Sequence, residues 1–157
     1  MARLFLSPGQ TYGFIGPFDI TDVIGTNSSE TVYVEANGRA NFDPSFNRGG
    51  DEIIIQSASS GYTGVRSGSN LLITNETGAL LSIPFGSAGS TITFNDGSFE
   101  LVFSSGTLKL GDQVITATAA PLADLGEGIA ASALAVGAMA DPVPVDFAAS
   151  SNLLLLG

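Results

Sequence analysis

The chain has 157 residues, with 5 Lys and Arg against 15 Asp and Glu, and no His, Cys or Trp. Those counts exclude Ser–His–Asp and Cys-nucleophile catalysis, zinc centres and disulfides, and a formal charge of −10 should repel nucleic acid and anionic membranes. Charged residues make up only 13% and hydrophobic ones 44%, the reverse of the disordered pattern, so a core-rich body with a Ser, Thr, Asn and Gly surface is expected.

Taken in chain order, residues 1–117 read as one short strand after another. The first lie at 3–7, 12–15, 19–24 and 31–35, followed by 52–56, 62–66, 71–74 and 80–85. Strands at 91–95, 99–103, 107–110 and 113–117 complete the series. Each is rich in Val, Ile, Leu, Phe, Thr or Tyr and most end near Gly, Asn, Asp or Ser, which is how half-buried strands and their turns are written. Tyr12, Tyr33 and Tyr62 fall within these patterns and read as packing residues. The expected fold class is all-β, either a β-solenoid or a β-sandwich of short strands. Ser/Thr/Asn/Gly-rich corners favour the solenoid, although no repeat of fixed length is visible.

Composition changes after Ala117. Residues 119–140 are Ala-rich and could form a helix starting at 124–128, while Asp141-Pro142-Val143-Pro144-Val145 excludes one. The chain therefore divides into an all-β domain at 1–117 and an acidic, apolar appendage at 118–157. All five bases (Arg3, Arg39, Arg48, Arg66 and Lys109) precede that appendage. No stretch approaches the ~18 apolar residues of a membrane helix, and the N-terminus carries no signal-peptide pattern. An acidic, Lys-poor, Cys-free chain fits an extracellular setting, so export is expected to depend on 118–157.

Between Glu35 and Ile115 the order of motifs resembles a β-rich module of large bacterial type I-secreted surface and adhesin proteins, often found beside RTX calcium repeats and in S-layer-like assemblies. The resemblance is carried by Asn41-Phe42-Asp43, Ser45-Phe46-Asn47, Gly50-Asp51-Glu52-Ile53-Ile54-Ile55 and Ser67-Gly68-Ser69-Asn70-Leu71-Leu72-Ile73. Thr91-Ile92-Thr93-Phe94-Asn95-Asp96-Gly97 and Gly106-Thr107-Leu108-Lys109-Leu110-Gly111 extend it. It implies an extracellular, cell-surface or biofilm-matrix building block without catalysis. The closing acidic and apolar residues also resemble an uncleaved type I secretion signal.

Three groups of residues are candidates for function. Asp43, Asn47, Asp51 and Glu52 place oxygen ligands on one Gly-containing loop, which is what calcium requires, although Asn and Asp are also ordinary turn formers. Carboxylates alone could serve a glycosidase, but Asp51, Glu52 and Asp96 stand without supporting aromatics or bases, and no catalytic residue is expected. Finally, Leu4, Phe5 and Leu6 near one end and Leu153, Leu154, Leu155 and Leu156 near the other are apolar runs costly to leave in water. Exchange of the latter between copies of the chain would build a filament, matrix fibre or lattice. The alternative is a monomeric adhesin module that binds a surface or matrix polysaccharide, stabilised by calcium.

Overall fold

The computed structural model describes residues 1–48 and 50–127. Within them the fold is all-β, as expected. The strands are β1 (Ala2–Phe5), β2 (Thr11–Ile15), β3 (Thr21–Ile24), β4 (Thr31–Val34), β5 (Arg39–Phe42) and β6 (Glu52–Ile55). They continue as β7 (Thr63–Ser67), β8 (Asn70–Thr74), β9 (Leu80–Pro84) and β10 (Ser90–Phe94). The last are β11 (Gly97–Ser104), β12 (Thr107–Leu110), β13 (Gln113–Ile115) and β14 (Ala120–Pro121). Two seven-stranded sheets result, ordered β1-β3-β5-β9-β8-β7-β14 and β13-β12-β11-β10-β6-β4-β2.

The chain alternates between the sheets for its first three coils. Thus β1, β3 and β5 pair in parallel on one sheet while β2, β4 and β6 pair in parallel on the other. A coil has a near-constant length. Ala2 pairs with Thr21 and Thr21 with Ala40, a step of 19 residues, while Thr11 pairs with Thr31 and Thr31 with Glu52, steps of 20 and 21. The fourth coil, β9 and β10, stacks on the third in parallel. Between them the hairpin β7–β8 is inserted, and β8 runs antiparallel into β9. After the fourth coil the chain gives up coiling, and β10 to β13 form an antiparallel meander. The molecule is therefore a short parallel solenoid that finishes as a sandwich.

Alternation along each strand explains why two sheets form. Val32, Ile53, Ile92 and Phe99 stand in one paired row and all are buried, and Ala40, Leu81, Ile73 and Gly64 form the facing kind of row on the other sheet. Each row presents its apolar side to a single core that takes residues from both sheets. Their partners in sequence, such as Thr31, Tyr33 and Thr93, remain only partly covered on the outer faces.

Two expectations need correction. The strand Arg39–Phe42 was not anticipated, because Asn41 and Asp43 read as a turn, yet Ala40 and Phe42 point into the core as its inward residues. Without β5 the coil length of about 20 residues could not be seen. Nor does the β body stop at Ala117. Ala120–Pro121 pairs with β7, Leu122 and Leu125 are buried at 1% and 4% exposure, and residues 124–127 form no helix. Gly64 makes room for this segment, since a Cβ there would lie 2.8 Å from Leu122 Cδ2. The remainder of the Ala-rich stretch, and 153–156, lie outside the described residues.

Candidate functional site: the open first coil and the polar corner

The first coil has neighbours on one side only. Among the described residues β1 pairs with β3 alone and β2 with β4 alone, so each is the edge of its sheet. Ala2 and Leu6 donate their backbone N–H groups to Ile20 and Ile24 carbonyls, at 3.3 and 2.9 Å. In a parallel ladder the intervening Arg3 and Phe5 then turn their N–H and C=O groups outward, away from the sheet. A row of free backbone groups is a template for another strand.

Apolar side chains gather at this same end. Among the described residues, four of the five exposed large hydrophobics are Met1, Phe5, Phe14 and Phe18, at 83%, 66%, 52% and 84% exposure, all within the first coil and the corner that leaves it. The Phe14 ring is steadied by Tyr33 at 5.3 Å. The fifth, Val114, sits on β13 at the opposite edge of its sheet. Of the expected assembly residues, Phe5 faces solvent, Leu4 is half-buried against the core, and Leu6 is inside it. Phe14 and Phe18 were not anticipated. Their signal was an aromatic beside Gly13 and another after Pro17, positions where a strand pattern breaks down.

The second notable region is a corner where successive coils stack polar residues. Gln10, Glu30, Asp51 and Ser90 each precede the mutually paired positions Thr11, Thr31, Glu52 and Thr91. Of these, Glu30 and Asp51 are buried at 1% and 0% exposure, and Ser90 at 3%. The Glu30 carboxylate accepts from Thr26 N–H at 2.7 Å, Thr26 Oγ1 at 2.6 Å and Gly9 N–H at 3.4 Å. Asp51 Oδ1 accepts the Glu30 N–H at 2.7 Å, whereas its Oδ2 is buried without a partner. Burial pushes the Asp51 carboxyl up to about 6; the Glu30 N–H works against this, and the carboxylates of Glu30 and Asp43 add to it.

The four residues expected to bind calcium are not assembled into one cage. Asp43 caps the 3-10 turn Pro44–Asn47, accepting from Ser45 N–H at 3.3 Å, Ser45 Oγ at 2.5 Å and Gly25 N–H at 3.2 Å. Asn47 donates to the Phe85 carbonyl at 3.4 Å, and Glu52 accepts from Thr93 Oγ1 at 2.7 Å on the outer face. Asp51 alone points into the core. Among the described residues no group of three or more His, Cys, Asp or Glu is placed to hold a metal ion. Asp96, the remaining acid weighed for chemistry, holds the turn at Ser59 through its N–H and Oγ, at 3.0 and 2.8 Å.

Comparison with protein-family models, with curated proteins and with solved structures finds no match to this chain. Among the described residues, no helix is long and apolar enough to cross a membrane.

Proposed function

We propose that the chain is a self-assembling structural subunit, joined to copies of itself through the first coil to build an extracellular filament, matrix fibre or surface lattice. One observation carries this reading: exposed aromatics coincide with the two unpaired sheet edges, at the same end of the solenoid. Soluble monomers blunt their edges with charges, prolines or bulges. β2 has such a device, a register shift between Tyr12 and Ile15. β1 has only Arg3, whose guanidinium leans back toward Asp22 at 3.8 Å. The apolar Leu153–Leu156 sequence is the segment assigned here to β1 of the next copy, a contact between unlike patches that grows into a fibre when its rotation does not close a ring. The extracellular placement rests on the motif resemblance and the acidic, Lys-poor composition.

Sedimentation velocity and negative-stain microscopy over a concentration series test it. Polymer growing with concentration is the expected result, and removal of 153–157 should abolish it. A full-length chain that remains monomeric throughout, yet is retained on a polysaccharide column, would instead establish a glycan-binding module.

A further inference from the structure

The far end of the sandwich carries a cleft of about 440 Å³ whose walls include Arg66, Gly68, Gly106, Thr107, Val114 and Thr116. We propose that this cleft receives residues 141–146 of the same chain, with an aspartate of that segment paired to Arg66. The inference does not rest on the assembly reading.

Arg66 is held as a preformed carboxylate receptor. Its guanidinium lies 5.4 Å from the Phe85 ring centre and 4.9 Å from that of Phe103, two rings that are themselves 5.1 Å apart. Cation–π contacts of this kind fix the guanidinium plane and leave its edge to bind. That edge is weakly used: Nε and Nη1 reach the Gly68 and Gly106 carbonyls only at 3.5 Å. The ion pairs among the described residues are Met1 with Asp19 and Arg3 with Asp22, so Arg66 has no carboxylate partner there. Lys109 has none either, and it stands opposite Val114, a wall of the cleft, in the β12–β13 ladder. Arg39 and Arg48 also lack a carboxylate there, but of these four Arg66 is the one stacked on aromatic rings at the wall of a cleft.

The chain supplies the complement. Residues 128–157 contain Asp141 and Asp146 and no base. They follow Leu125, whose carbonyl accepts the Asp112 N–H at 2.9 Å in the turn between β12 and β13. The chain thus leaves the described body at the same sheet edge that borders the cleft. Thirteen residues lie between Glu127 and Asp141, a reach on the order of 45 Å when extended, so the distance is no obstacle. Asp141-Pro142-Val143-Pro144-Val145-Asp146 is already restricted to extended backbone by its prolines, so little order is lost on docking. Its valines suit Val114 and Ile115, and a carboxylate on a fixed guanidinium forms the stronger, two-bond pair. Prolines beside β13, which among the described residues pairs with β12 alone, would also close that edge against further strands.

The absence of Cys allows a single nitroxide to be placed at Ala148→Cys in the full chain. Phe5→Ser, Phe14→Ser and Phe18→Ser are added so that assembly does not intervene. Amide signals of Gly68, Gly106, Thr107 and Thr116 should broaden several-fold, and Arg66→Gln should remove the effect. Should Arg66→Gln disturb the fold, Asp141→Asn with Asp146→Asn must remove it with the body unaltered. Broadening that is absent, or indifferent to both changes, overturns the proposal. So does broadening seen only between differently labelled chains in a mixture, which would assign the segment to a second copy. Polygalacturonate that shifts these amides equally with and without Asp141 and Asp146 would assign the cleft to an external acidic glycan and also overturn it.

Discussion

The side chain of Asp51 accepts the backbone N–H of Glu30 at 2.7 Å, tying the third coil to the second within a corner closed to solvent. Its other oxygen faces no donor, and the nearest charges named by its environment are the carboxylates of Glu30 and Asp43. A strand-to-strand link has therefore been built from a group that the fold would rather protonate.

Stability should respond to pH in the direction opposite to that of a salt-bridged aspartate. The Asp51 carboxyl rises from 3.8 to about 6 on folding, so between these values the folded state holds the extra proton. Its contribution is complete below about pH 4 and is lost as pH rises through 6. A shift of roughly two units is worth at most about 3 kcal/mol. Asp51→Asn keeps an acceptor for the Glu30 N–H and cannot ionise. Thermal melts should show this variant more stable than the parent at pH 8, with the gap closing near pH 4. An equal gap at both pH values would refute the assignment.

Edge geometry makes a second prediction about β1. The outward N–H of Phe5 is not used by β3, so Phe5→Pro removes a donor and an exposed ring while the β1–β3 ladder survives. Melting should change by about 1 kcal/mol or less, as for other surface positions, while polymer in sedimentation falls to background. Polymer at parent levels would place the contact elsewhere.

Much of this architecture was legible in the residues, and the parts that were not have physical causes. Thr91-Ile92-Thr93-Phe94 and Thr107-Leu108-Lys109-Leu110 alternate cleanly and are β10 and β12. Arg39-Ala40-Asn41-Phe42 alternates as well, but one of its two inward residues is a small Ala, and Asn41 and Asp43 around Phe42 read as a turn, so the apolar contrast is faint. Losing that one strand concealed the coil repeat, which the β7–β8 hairpin interrupts in any case. The oxygen-rich loop shows how alternation separates neighbours. Its residues are adjacent in sequence, yet strand alternation sends Asp51 inward and leaves Glu52 on the outer face with Thr93. Spacing along the chain cannot tell a cage from a corner.

The segment just past β13 should behave as part of the core. Leu122 is 1% exposed and packs on Gly64, and its N–H is held by the Tyr62 carbonyl at 2.9 Å. Leu122→Ala should cost about 2–4 kcal/mol, the usual range for emptying a buried leucine site. Denaturant titration would read it. A loss below about 0.5 kcal/mol, typical of a surface site, would return 118–127 to the status of an appendage.

The opposite corner of the solenoid offers a graded test of its hydrogen bonds. The Ala36 carbonyl accepts from Tyr62 Oη at 2.6 Å and from Asn75 Nδ2 at 2.9 Å, so it has two donors. Tyr62→Phe leaves the carbonyl satisfied by Asn75 and removes a hydroxyl from a buried ring, a loss of about 1 kcal/mol. Asn75 does more. Its Oδ1 also takes the N–H groups of Thr77 and Ala79, at 3.1 and 2.9 Å, and so shapes the turn that launches β9. Asn75→Ala should therefore cost more than Tyr62→Phe, on the order of 2 kcal/mol, because the partly buried Ala79 N–H is left without an acceptor and the exposed Thr77 N–H must turn to water. The double variant should exceed the sum of the two, since only then does the Ala36 carbonyl lose both donors. Strict additivity in a denaturant-based cycle would show that the two bonds do not share this carbonyl.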